Sequence, residues 1–159
     1  DKNTDIGAVN SRTQLDTIQR YVDTGIKEGA SCYECSGTLP NKGFYFPPTL
    51  LTGVSQSSTV VQEEIFGPVL TIQTFRTTEE AIEKANNTPY GLANGIWTDK
   101  GSKIFHVGTK LKSGVVWSNT YNKFDPTSPF GGYKESGKGR EGGISGLHAY
   151  VKLENSGGM

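Results

Sequence analysis

The sequence predicts an α/β fold with a mostly parallel sheet covered by helices, in three α/β/α layers. Three observations carry this. Helical and strand patterns alternate three times along the chain with short links, the signature of stacked strand–helix–strand units. Glycine, at 21 of 159 residues, is roughly twice its usual share, which implies many tight turns and close backbone approaches. No internal repeat or interior linker interrupts the pattern, so residues 1–152 read as one domain or part of one, followed by a flexible tail at 153–159.

In chain order, Ser11-Arg12-Thr13-Gln14 is a capping-box pattern that opens a helix. Leu15, Ile18, Val22 and Ile26 recur at helical spacing and form its inner stripe, and Gly29 stops it. A short strand is predicted over 31–36. The run 44–51 mixes aromatics with Pro47 and Pro48, which cannot donate to a ladder, so it is expected to be extended at a sheet edge or outside the sheet. Val69-Leu70-Thr71-Ile72 reads as a buried strand continuing to Phe75.

Thr77-Thr78-Glu79-Glu80 is a second capping box, with Ala81, Ile82 and Ala85 inward and Asn86 to Pro89 ending the helix. A loop then runs into a strand at Tyr90–Trp97. Thr98 or Asp99 can cap a third helix with Ile104, Val107 and Leu111 inward. Gly114 ends that helix before the buried strand Val115-Val116-Trp117. A polar, aromatic loop covers 119–128, and a glycine-rich stretch leads to a weak stripe of Ile144, Leu147 and Val151.

Composition excludes several functions. Sixteen basic and sixteen acidic side chains cancel, so nothing favours nucleic acid or an anionic membrane surface. No apolar run approaches the ~20 residues that span a bilayer. Cys32 and Cys35 form a C-x-x-C pair, which invites a redox or zinc reading. The pair follows a helix inside a short alternating run, without the other two zinc ligands. Two thiols in a strand, in a reducing compartment, are the plainer reading; the cytoplasm is the expected location, with the mitochondrion as the alternative.

Gly137 to Gly142 spells G-x-G-x-x-G, but a glycine-rich loop precedes it and no second strand follows, so the dinucleotide fingerprint lacks its context. His106 and His148 have no nucleophile elbow beside them and read as ordinary helix residues. The chemically promising stretch is Glu63-Glu64-Ile65-Phe66-Gly67-Pro68-Val69. Gly-Pro turns the backbone sharply, since Gly tolerates positive φ and Pro fixes its own. Two acids and an aromatic are thereby held at the lip of a strand, where ligands are often met. Adjacent extended residues point to opposite faces, so at most one of Glu63 and Glu64 faces a ligand. A capped turn with two solvated carboxylates is the alternative.

The ordered set EEIFGPV at 63–69, ANNTPYGLA at 85–93 and SPFGGYKESGKGRE at 128–141 resembles the NAD(P)-dependent aldehyde dehydrogenase superfamily, with similarity from about residue 5 to residue 152. The resemblance implies oxidation of an aldehyde to a carboxylic acid with NAD or NADP, through a cysteine thiolate, a hydride transfer and a glutamate-activated water. It implies that Glu64 bonds the nicotinamide ribose, that Phe66 lies beside the ribose and ring, and that Gln14 also approaches the cofactor. A capping-box role for Gln14 stays open. Phe124 and Phe130 would line the aldehyde tunnel and Asn119 would lie near the active site, or tie its own loop. Lys134, Ser136, Arg140 and Glu141 match the signature and read as loop-fixing residues.

The resemblance also implies that the nucleophile, in a Gly-Gln-x-Cys context, and the general base lie upstream, since neither Cys32 nor Cys35 matches it. The chain is then the C-terminal part of a catalytic domain, inactive alone, with no catalytic residue and no metal of its own. Homo-oligomerisation is expected from the uncovered sheet edge. A non-catalytic scaffold or interaction module with the same fold is the alternative.

Overall fold

Ser11 starts the first helix: its Oγ accepts the Gln14 N–H at 3.1 Å, and α1 runs Arg12–Lys27. Only half of the capping box forms, because the Gln14 side chain turns elsewhere. The computed structural model describes residues 2–152, so the expected tail at 153–159 lies outside the described residues. The chain divides into two compact units, Asp1–Phe75 and Arg76–Met159.

In the first unit α1 packs on a three-stranded sheet of β1 (Ser31–Glu34), β2 (Thr49–Thr52) and β3 (Val69–Thr71), in that order. β1 and β2 are antiparallel, while β2 and β3 are parallel and joined through the short helix α2 (Thr59–Gln62). The buried stripe of α1 is Ile18, Val22 and Gly25. Ile26, expected inward, is 46% exposed. The glycine lies on the buried side because a Cβ there would come within 3.0 Å of Val60, so Gly25 is where α1 meets α2. Ile18, Val22, Phe46, Leu51, Val60 and Ile65 form the core of this unit.

Two strands are shorter than their patterns suggested. Beyond the Glu34–Thr49 pair, Cys35 N–H donates to the Pro48 carbonyl, but Pro48 has no N–H to return the bond, so the ladder stops. β3 loses its partner because β2 ends at Thr52, and Gly53 after it turns away with φ +70°. The 44–51 segment is not marginal as expected. Both prolines precede β2, which is the central strand, and Leu51 is fully buried. The expectation of a buried strand at 69–72 is also corrected. Tyr33, Leu50 and Leu70 are in register across the sheet, on the face opposite to Cys32, Leu51 and Thr71, and Leu70 is 63% exposed.

The second unit opens with α3 (Thr78–Asn86), capped by Thr77 Oγ1 accepting the Glu80 N–H. Glu80 reaches back to the Arg76 N–H rather than to the cap residue. β4 (Tyr90–Gly91) pairs antiparallel with β7 (Tyr133–Lys134), and β5 (Ala93–Ile96) pairs parallel with β6 (Val115–Ser118) across α4 (Gly101–Gly108). Lys100 is the N-cap of α4 and gives no side-chain cap bond, although Thr98 Oγ1 accepts the Lys100 N–H. Among the described residues, the buried apolar side chains of the second unit are Ile82, Ile96 and Trp117, and α4 has none. The closing helix α5 is only Gly143–Leu147, and Ile144 is 73% exposed, so the weak terminal stripe is not packed in this chain.

The fold is therefore mixed α/β, as the alternation predicted. Its strands form small separate sheets among the described residues, with two parallel and two antiparallel pairings.

Candidate functional site

The turn at 63–68 is held by α1. Gln14 Nε2 donates to both the Ile65 and Phe66 carbonyls, each at 3.0 Å. This is where the capping-box glutamine spends its amide. Phe66 carries φ +55°, a left-handed conformation that costs a non-glycine residue about 1–3 kcal/mol. The expected division of labour at Phe66-Gly67-Pro68 is thus reversed. The positive φ falls on the phenylalanine, and Gly67 is needed for closeness, since a Cβ there would lie 2.5 Å from Ile18 Cδ1. The Phe66 ring is 71% exposed.

The two acids part company, as alternation requires. Glu63 turns to α1, where its Oε2 accepts the Tyr21 hydroxyl at 2.7 Å. That bond, with burial and the carboxylate charge adding to it, raises the Tyr21 phenol above its ordinary 10.0. Glu64 is exposed, and its carboxylate makes no hydrogen bond or ion pair among the described residues. An acceptor-only group beside an exposed aromatic suits a ligand that offers hydroxyls and a flat ring. Tyr21 escaped the sequence reading because its partner lies 42 positions away.

In the second unit Phe124 and Phe130 meet edge to face at 5.0 Å. They belong to a longer row: Trp117 meets Phe124 at 5.6 Å and Tyr121 at 4.8 Å, and Tyr121 reaches Trp97 at 6.3 Å. The sequence reading named only the two phenylalanines. The signal for the rest was Trp117 at the end of a buried strand, whose indole N–H donates to the Lys123 carbonyl and folds the loop back over it. Asn119, with φ +53°, bonds the Thr98 backbone both ways, accepting its N–H and donating to its carbonyl. Its amide ties the loop to the end of β5.

The signature residues are similarly occupied. Lys134 Nζ donates to the Asn86 and Thr88 carbonyls at the end of α3, and the Ser136 hydroxyl accepts the Gly91 N–H. Arg140 donates to the Gly132 and Gly139 carbonyls and stacks over Tyr133. Glu141 bridges Phe130 through backbone bonds. The G-x-G-x-x-G string lies between the two-residue β7 and the five-residue α5.

Cys32 faces the core side of β1, where burial pushes its thiol up, the opposite of an activated nucleophile. No cluster of three or more metal-ligating side chains occurs among the described residues, and no helix is long and apolar enough to cross a membrane.

Comparison with known proteins gives this geometry a context. The sequence profile described as the aldehyde dehydrogenase family matches residues 1–155. Human mitochondrial aldehyde dehydrogenase is 41% identical over 154 residues, 97% of this chain and 30% of its own. Cytosolic 10-formyltetrahydrofolate dehydrogenase of Xenopus tropicalis is 41% identical over 156 residues, 17% of its length. Among solved structures, the NAD+ complex of aldehyde dehydrogenase from Bacillus cereus superposes with a TM-score of 0.89 at 43% identity, over 96% of this chain and 31% of that one. The chain thus spans about a third of the length of most relatives it matches.

Proposed function

The chain belongs to the aldehyde dehydrogenase family, and we propose that it is the C-terminal part of the catalytic domain of an NAD-dependent aldehyde dehydrogenase. Its role there is to receive the nicotinamide ribose and to form part of the aldehyde tunnel. The observation that carries this is the Glu64–Phe66 turn: an exposed carboxylate without a partner among the described residues, next to an exposed ring held at positive φ. Backbone strain of this kind persists where surrounding bonds over-determine it, and here Gln14 supplies those bonds. Solved relatives with NAD+ bound support the choice of cofactor.

On this proposal the Glu64 carboxylate accepts the ribose hydroxyls and Phe66 packs beside the ribose and ring. Gln14 holds the turn with its amide nitrogen and leaves its oxygen for the cofactor side. The bound nicotinamide supplies the hydride acceptor. A ribose clamp of this kind treats NAD and NADP alike, because the extra phosphate of NADP sits on the other ribose. Phe124 and Phe130 form an apolar wall that favours aldehydes with apolar bodies, and Asn119 fixes the loop that carries Phe124.

The nucleophile and general base are assigned to the rest of the polypeptide, which also completes the three α/β/α layers and covers the Tyr33–Leu50–Leu70 face. Alone, the chain self-associates through that face. The whole protein is assigned to the cytoplasm or mitochondrion. The test is NAD-dependent aldehyde oxidation by the isolated chain and by the longest natural polypeptide that carries it. The proposal predicts none for the first and turnover for the second. Turnover by the isolated chain would sink it. Absence of turnover in both would favour the non-catalytic scaffold.

A further inference from the structure

One face of α1, at positions 14, 18, 21 and 25 and continued by its C-cap residue at 28, splints the segment 59–67. The spacing of four, three, four and three keeps all five on one side of the helix. Gln14 bonds Ile65 and Phe66, Ile18 underlies Gly67, Tyr21 bonds Glu63, Gly25 abuts Val60, and Glu28 accepts both the N–H and the hydroxyl of Thr59. Glu64 is bracketed by these ties. The residue before it is anchored through its side chain, and the next two through their carbonyls. The chain is thereby anchored on both sides of Glu64, at the Glu63 side chain before it and at the peptides following Ile65 and Phe66 after it.

We propose that Tyr21 is a positioning residue for cofactor binding: its hydroxyl pins Glu63, and Glu63 sets the direction from which Glu64 meets the nicotinamide ribose. This rests on the assignment of Glu64 to the ribose made above. The chemistry of the pair fits. A phenol is long enough to reach from the helix to the carboxylate. Arg20, 4.7 Å from the Tyr21 ring centroid, lies over the same ring. Released from Tyr21, Glu63 becomes a second mobile carboxylate next to Glu64, free to swing and to change the field and the space around it.

The experiment uses the full-length polypeptide that carries this chain, with NAD as the probe. The dissociation constant for NAD, the KM for aldehyde and the melting temperature are measured for Y21F, E63A, E63Q, E64Q and the Y21F/E63A pair. Y21F and E63A should each weaken NAD about three- to tenfold, less than the full worth of a hydrogen bond to a charged acceptor because the effect reaches the cofactor through Glu64. The pair should be no worse than either single change, since Tyr21 acts through Glu63. E63Q, whose amide oxygen still accepts from the phenol, should keep most of the affinity. Aldehyde KM should not move.

Additive effects in the pair, or a lowered melting temperature with NAD affinity unchanged, would overturn the proposal by making the bond merely structural. If E64Q weakens NAD but Y21F does not, the positioning role fails while the ribose assignment stands. If E64Q itself leaves NAD binding unchanged, the ribose assignment fails, and the role of Tyr21 falls with it.

Discussion

The Gln14 side-chain amide lies 3.0 Å from the carbonyl oxygen of Phe66, 52 positions further along the chain, and makes the same contact with Ile65. One helix residue thus holds a left-handed phenylalanine in place. Replacing it should be costly beyond its size. Q14A removes two hydrogen bonds at a part-buried site and should destabilise the chain by about 1–3 kcal/mol, read from urea denaturation. Q14E should be no better, because an ionised carboxylate cannot donate to a carbonyl.

Phe66 offers a test with two opposed readouts. F66G relieves the positive φ, so stability should hold or rise by up to about 1 kcal/mol despite the lost ring. NAD affinity in the full-length polypeptide should fall. Loss of stability together with unchanged affinity would make the ring a packing residue only.

At Gly67 the constraint is steric. G67A places a methyl group 2.5 Å from the Ile18 Cδ1, and Ile18 is fully buried and cannot step aside. A loss of about 1–3 kcal/mol is expected, visible as a lowered melting temperature.

Acid should weaken the second unit through Glu80. Hydrogen bonding from Lys84, then from the Arg76 N–H, holds its carboxyl below its ordinary 4.5. A depressed folded value means that its contribution is fully present above 4.5 and is lost as pH falls through the lowered value. E80Q should flatten that part of the melting-temperature profile. Tyr21 works in the other direction. Its raised phenol contributes below 10.0 and loses that contribution as pH rises through the raised value, so Y21F should flatten the alkaline limb.

The local grammar was readable in the sequence: Ser11 and Thr77 cap their helices as expected, and Gly29 ends α1. Their physics spans three or four residues. What escaped depended on distant partners. Pro48 cuts β1 short only because it faces Cys35 across the ladder. Gly25, rather than Ile26, faces inward because Val60 arrives there. Leu70 stays uncovered because it lies on the sheet face opposite the one that carries Leu51 and packs on α1. At the candidate site, the turn that carries Glu64 and Phe66 was legible from Gly67-Pro68, though the positive φ falls on Phe66. The clamps from Gln14 and Tyr21, and the aromatic row through Trp117 and Tyr121, needed the fold.

The uncovered row of Tyr33, Leu50 and Leu70 predicts how the isolated chain behaves. L70S should reduce its self-association, read as a lower weight-average mass by light scattering across a concentration series.

The most direct measurement is a crystal structure of the full-length polypeptide with NAD bound. The Glu64 carboxylate should lie about 2.5–3.0 Å from the nicotinamide ribose hydroxyls, with Phe66 against the same ribose. A ribose held by other residues, with Glu64 left in solvent, would contradict the assignment.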